Sequence, residues 1–156
     1  QTFKNSFDNY SMKKILKMIK VLDMQFIRYV NLFNRFTGLR CNHCFEYNNT
    51  IIFAVTKNFI MKAIGNNNKN LEDLNRIIGK RIKIVAIPKG KEDIENFVSM
   101  IIRPLRFRAI EIKNDEIIIS ADLQNKASLI GKGKLRLAEM ENILDQYFGI
   151  KKIRFR

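Results

Sequence analysis

Hydrophobic residues along the first half of the chain predict a helix followed by a β-hairpin. Apolar positions over 26–33 recur at the spacing of one helix face. Strands are predicted at 40–47 and 50–56, because these stretches flank Asn48 and Asn49. Asparagine tolerates the positive φ that a two-residue hairpin turn requires.

The same half continues with two helices and a third strand. Residues 58–64 predict a short helix that runs into Gly65, and a longer helix follows it. The apolar stripe predicted for this longer helix consists of Leu71, Leu74, Ile77 and Ile78. Alternating residues over 81–87 then predict a strand that ends before Pro88.

The second half repeats the first at an offset of 66 positions, without a gap from about 48 to 78. The apolar run at 51–55 falls on 117–121, and Ile64-Gly65 falls on Ile130-Gly131. The elements predicted for this half are a helix over 92–102, strands over 105–113 and 116–122, helices over 125–130 and 135–148, and a strand over 150–156. The order α-β-β-α-α-β therefore occurs twice.

This order predicts an α+β fold with two α/β layers, in which the helices of each unit lie on one face of a three-stranded sheet. The units are assigned to 23–88 and 89–156, and their joint is too short for a flexible linker. We expect them to pack against each other. Residues 1–22 are expected to form a basic extension outside the repeat, partly disordered or the remnant of a tag.

Composition adds a strong positive charge to this picture. The 156 residues carry a formal net charge of +14, which is typical of proteins that bind a polyanion, nucleic acid above all, although AT-rich coding alone could produce the same bias. With 46% hydrophobic residues the chain is globular, and it has no apolar run that would span a bilayer. The two cysteines fit a reducing environment, so we expect a cytoplasmic protein with no membrane partner.

The junction between the paired helices of each unit is the strongest candidate site. It reads Gly65 to Asn68 in the first unit and Gly131 to Lys134 in the second. A small loop of this kind lets a phosphodiester backbone approach closely, and the helix after it presents free N–H groups and its positive dipole end. Lysines and one arginine surround both junctions, so the sequence predicts two sites that hold a single strand by its backbone.

An α-β-β-α-α-β unit with Ile-Gly-x-x-Gly between its central helices resembles a type II KH domain. Two such units with Phe26-Ile27-Arg28-Tyr29 and Phe36-Thr37-Gly38 resemble the archaeal NusA-like transcription proteins over about 19–156. The resemblance implies binding of single-stranded RNA, either nascent transcript or rRNA, in transcription termination or elongation. The RNA-binding residues expected on these grounds are Lys62, Ile64, Gly65, Asn66, Asn67, Asn68 and Lys69 in the first unit, and Lys126, Ile130, Gly131, Lys132, Gly133, Lys134 and Arg136 in the second.

Both units depart from the KH motif at its fourth position, where Asn68 and Lys134 replace glycine. Two alternatives therefore stay open: a protein-interaction module that docks on RNA polymerase or the ribosome, and a ribosome-assembly factor that uses KH chemistry on rRNA.

Other clusters indicate neither an enzyme nor a cofactor. The run from Cys41 to Cys44 includes His43, the single histidine, and a closed zinc site needs four ligands. We expect ordinary packing there. No phosphate-binding Gly-x-x-x-x-Gly-Lys-Ser/Thr loop is present, and a Ser/His/Asp set would depend on the same histidine.

The last strand of each unit alternates cations with apolar residues. Lys152, Arg154 and Arg156 line one face in the second unit, and Arg81 and Lys83 take the same place in the first. Such a row is either the solvated outer face of a half-buried sheet, a second nucleic-acid surface or a docking patch for an acidic protein.

Overall fold

Each half of the chain folds into a helix, a β-hairpin, two helices and a further strand, in a computed structural model that describes residues 24–41 and 43–156. The first unit contains helix α1 over 24–37, β1 (His43–Tyr47), β2 (Thr50–Val55), α2 (Ile60–Ile64), α3 (Lys69–Ile78) and β3 (Arg81–Ala86). The second contains α4 (Ile94–Ile102), β4 (Ala109–Lys113), β5 (Glu116–Ser120), α5 (Leu123–Ile130), α6 (Leu135–Phe148) and β6 (Lys152–Phe155). The predicted α+β class is confirmed. The basic extension predicted at 1–22 lies outside the described residues.

Each unit builds one three-stranded sheet, in the orders β1-β2-β3 and β4-β5-β6. The first two strands of each sheet are antiparallel, and the third runs parallel to the second. The hairpin turns occur where asparagine predicted them. Asn48, Asn49 and Asn114 have φ values of 52°, 55° and 55°, a region that asparagine enters at low cost.

The central strand of the first sheet is buried on both faces. Ile51 and Phe53 pack with Phe33 of α1 in the core of the first unit, and the rings of Phe33 and Phe53 stack at 4.3 Å. Ile52 and Ala54 point the other way, into a core shared with the second unit. A strand without a solvent face has a continuous apolar sequence.

Aromatic residues from both units hold this shared core together. Phe45 of β1 lies 6.2 Å from Phe97 of α4 and 5.8 Å from Tyr147 of α6, measured between ring centroids. Phe97 and Tyr147 are 5.1 Å apart. The outer face of the first sheet is therefore covered by helices of the second unit, and the two units share one hydrophobic core.

Two details of the sequence prediction are wrong. Ile77 does not belong to the buried stripe of α3, since 45% of its surface is exposed. The strand predicted at 105–113 begins only at Ala109, because the chain turns after α4 and the N–H of Leu105 donates to the carbonyl of Ile102. Phe107 still packs against the shared core without taking part in the sheet.

Candidate nucleic-acid interface

The two junctions, hereafter the first loop (65–68) and the second loop (131–134), follow the same backbone path. Gly65 has φ 81° and ψ 171°, and Gly131 has φ 74° and ψ 170°. Three of the four residues differ between the loops, so the shared path is not a consequence of identical sequence. Both loops end short helices, α2 and α5, and lead into longer ones, α3 and α6.

The last two residues of each loop are left-handed. Asn67 and Gly133 have φ 54° and 62°, while Asn68 and Lys134 both have φ 61°. Asparagine adopts this conformation at modest cost, whereas lysine carries the full steric penalty of its Cβ. The fourth position thus keeps the conformation that favours glycine although neither unit has glycine there.

The first glycine of each loop is required by its positive φ and also by the close packing around it. A Cβ placed on Gly131 would lie 2.6 Å from the Cγ of Arg136 and 3.0 Å from its backbone nitrogen. A Cβ on Gly65 would lie 2.9 Å from the Nδ2 of Asn70. The N-terminal turn of the following helix therefore rests directly on the glycine.

Asn70 closes the first loop, a role that sequence reasoning missed. Its side-chain amide donates to the carbonyls of Lys62 and Ala63 at 3.3 and 3.1 Å, which satisfies carbonyls at the end of α2. The signal was available, since asparagine is a common partner for free backbone groups at helix ends.

The second loop is fastened differently. Arg136, which occupies the place of Asn70, forms an ion pair with Glu139. The other oxygen of that carboxylate accepts the backbone N–H of Asn48 at 3.1 Å. The start of α6 is thereby tied to the hairpin turn of the first unit.

The structure brings the predicted residues together around each loop. Residues 66–69 and 132–134 are exposed, and Ile64 and Ile130 lie half-buried just before the glycines. Lys62 is exposed, whereas Lys126 and Arg136 are half-buried. Among the described residues, no carboxylate lies within ion-pair distance of the loop-side lysines Lys62, Lys69, Lys126, Lys132 and Lys134. Their charges remain available to a polyanion.

The cation row predicted on the last strand of the second unit is largely neutralised. Arg154 forms an ion pair with Glu116, and Arg156 approaches Glu111 at 3.8 Å. This favours the solvated outer face of a half-buried sheet, one of the alternatives left open by the sequence.

In the matching row of the first unit Arg81 is exposed, whereas Lys83 does not lie on a solvated face. Lys83 donates to the carbonyls of Ile101 and Arg103 at 2.9 and 3.1 Å, at the end of α4. Burial, followed by the nearby charge of Arg103, lowers the pKa of Lys83. The side chain joins the two units, because the second unit covers this face of the sheet.

Cys41, His43 and Cys44 show ordinary protein contacts. The buried thiol of Cys41 contacts the carbonyl of Ala54 at 3.3 Å. Burial raises the pKa of Cys44 to about 12, which disfavours the thiolate that a metal would need. His43 lies on the surface with its Nδ1 3.2 Å from the hydroxyl of Tyr147. Within 24–41 and 43–156, no three His, Cys, Asp or Glu side chains gather as metal ligands.

No helix in the described part of the chain has the length and apolar character needed to cross a membrane.

Comparison with known proteins bears on the fold. No protein-family model matches the chain, and no curated protein is significantly similar to it. Eleven chains of solved structures do match. One of them, the crystal structure of APE1850, is 26% identical with a TM-score of 0.59, over 83% of this chain and 96% of the other. The fold of this chain is thus similar to an experimentally determined structure over nearly the whole length of that structure.

Proposed function

We propose that this protein binds single-stranded RNA by its backbone at the first and second loops, as tandem KH domains do. The observation that carries the proposal is the shared backbone of the two loops, since Gly65 and Gly131 agree within 7° in φ and 1° in ψ. A loop maintained with different side chains indicates that its main-chain shape is what matters. KH loops use that shape to clamp about four nucleotides.

The geometry provides three kinds of contact for such a strand. In the second loop Gly133 lets a phosphate approach the main chain, because no Cβ stands there and no described atom lies within 4 Å of that position. The following helix, α3 or α6, offers the N–H groups and positive dipole of its first turn. Ile64 and Ile130 lie where an apolar floor could support the bases.

The two loops differ in charge, so they contribute differently. The second loop carries Lys132 and Lys134, both exposed, and binds phosphate directly. The first loop is uncharged from Gly65 to Asn68 and depends on the lysines beside it. We expect the second loop to supply more of the affinity.

The resemblance to NusA-like proteins assigns this RNA binding to transcription termination or elongation in the cytoplasm. The RNA would then be nascent transcript, and RNA polymerase would be a second partner. A ribosome-assembly factor would instead hold rRNA with the same two loops.

Charge reversal at the second loop tests the proposal. Lys132→Asp combined with Lys134→Asp should weaken binding of a fluorescently labelled single-stranded RNA about tenfold or more, because two phosphate contacts become repulsive. Anisotropy titrations at several salt concentrations measure both the affinity and its salt dependence. Binding should fall steeply with salt in the unaltered protein.

The matched control is Lys89→Asp with Lys91→Asp. These two lysines are exposed, have the same spacing and lie in the joint between the units. The control should lose far less affinity than the loop variant. Equal losses in the two variants would show that the net charge, and not the second loop, holds the RNA, and would contradict the proposal.

A further inference from the structure

A separate cleft of about 510 Å³ lies between the two units and borders the second loop. Its walls come from the β1–β2 hairpin, the start of β3, the end of α4 and the segment that leads into the loop. Gly131 is part of its lining, so the cleft opens next to the position proposed for the RNA backbone.

The lining of this cleft is cationic. It contains Arg81, Lys83, Arg103 and Arg136, and no carboxylate from the described part of the chain is among its lining residues. A neighbouring cleft of about 920 Å³ is balanced instead, since Glu92 and Glu95 line it together with arginines. The absence of acidic residues therefore distinguishes this cleft from its neighbour, which Arg103 also lines.

Two of the four cations are already engaged. Lys83 donates to backbone carbonyls, and Arg136 pairs with Glu139. Arg81 and Arg103 are exposed, and no described carboxylate lies within ion-pair distance of either guanidinium. Like charges held together without a counter-charge attract an anion. Burial is the main cause of the lowered pKa of Lys83, and the nearby charge of Arg103 adds to it.

We propose that Arg81 and Arg103 bind a backbone phosphate of the RNA strand beyond the nucleotides held by the second loop. A guanidinium donates two parallel hydrogen bonds to a phosphate, which makes arginine better suited than lysine to this task. The inference rests on the proposed function and extends it: the strand continues from the second loop into the cleft between the units. The protein would then hold more nucleotides than a single KH loop does.

Oligonucleotides of two lengths test this site. We expect Arg81→Gln with Arg103→Gln to leave the affinity for a four-nucleotide RNA unchanged, since the loop alone holds it. Affinity for a twelve-nucleotide RNA should fall about tenfold, and the salt slope should decrease by roughly 0.7 for one lost phosphate contact on a single strand. The control is Arg154→Gln with Arg156→Gln, which removes two arginines from the ion-paired outer face of the second sheet.

The outcomes separate this inference from the proposed function. If the cleft variant binds the twelve-nucleotide RNA as the control does, while the loop variant loses it, the cleft site is wrong and the proposed function stands. If the unaltered protein binds neither RNA, both are overturned. If the cleft variant loses only inorganic polyphosphate, measured by competition, the cleft holds free anions and not the strand.

Discussion

Gly131 and Gly133 lie two residues apart in the second loop, and replacing each by alanine should have very different costs. Gly131 has φ 74° and ψ 170°, a region that is essentially restricted to glycine. Gly133 has φ 62° and ψ 23°, the left-handed region that other residues enter at moderate cost. Alanine at Gly133 therefore tests the cost of a left-handed backbone alone, whereas alanine at Gly131 also tests the need for a residue without a Cβ.

The atoms around each glycine increase the difference in stability expected between the two alanine variants. At Gly131 the new Cβ would lie 2.6 Å from the Cγ of Arg136 and 3.0 Å from its backbone nitrogen, so the start of α6 must shift. At Gly133 no atom of the described residues lies within 4 Å of the new Cβ. Strain and displacement together give about 2–4 kcal/mol of destabilisation for Gly131→Ala. For Gly133→Ala about 1 kcal/mol or less remains, because alanine also reduces the entropy of the unfolded chain.

Urea denaturation of both variants, followed by circular dichroism, measures the difference. A gap of about 2 kcal/mol between them corresponds to roughly 4–8 °C in Tm for a chain of this size. Unchanged m-values would confirm that the same transition is compared. Equal destabilisation of the two variants would refute the reasoning, since it would mean that α6 does not rest on Gly131.

Two further predictions concern the contact between the units. Phe97→Ala should destabilise the protein by about 3–5 kcal/mol, because the ring is 1% exposed in the core that both units share. Urea unfolding should remain one cooperative transition. Two separate transitions would contradict the shared core. The pKa of Lys83 is lower in the folded protein than in the unfolded chain, so the unfolded chain keeps the ammonium proton of Lys83 to higher pH. The free energy of unfolding should therefore rise with pH up to about 10.4. Lys83→Met removes this contribution, so the stability of the unaltered protein relative to the variant should increase as the pH rises toward about 10.4. A difference that falls with rising pH would refute the assignment.

Local signals predicted most of the elements and the position of both loops. Asn48-Asn49 marked a hairpin, and Gly65 and Gly131 marked the ends of α2 and α5, because each residue type fits a backbone conformation that depends on few neighbours. A feature that depends on only a few adjacent residues can be predicted from a single sequence.

The packing of the two units against each other was expected from the sequence, but the residues involved in that contact were not predicted. Lys83 occupies a strand position typical of a solvated cation, and only the packing of α4 beside it makes it a half-buried donor to backbone carbonyls. A clue was present in β2, where Ile52 and Ala54 continue the apolar run, whereas the corresponding strand β5 has Ser120 at the place of Ala54. The extra apolar residue, Ala54, indicates a second covered face without indicating what covers it.

Cutting the chain near Pro88 would not yield two usable halves. In the first fragment Phe45, Ile52 and Ala54 would no longer be covered by the second unit. The apolar face of the sheet would then be exposed to water and would promote aggregation. The two loops are for the same reason carried on units that share one hydrophobic core. The contribution of each loop is therefore best measured by point substitution in the intact chain.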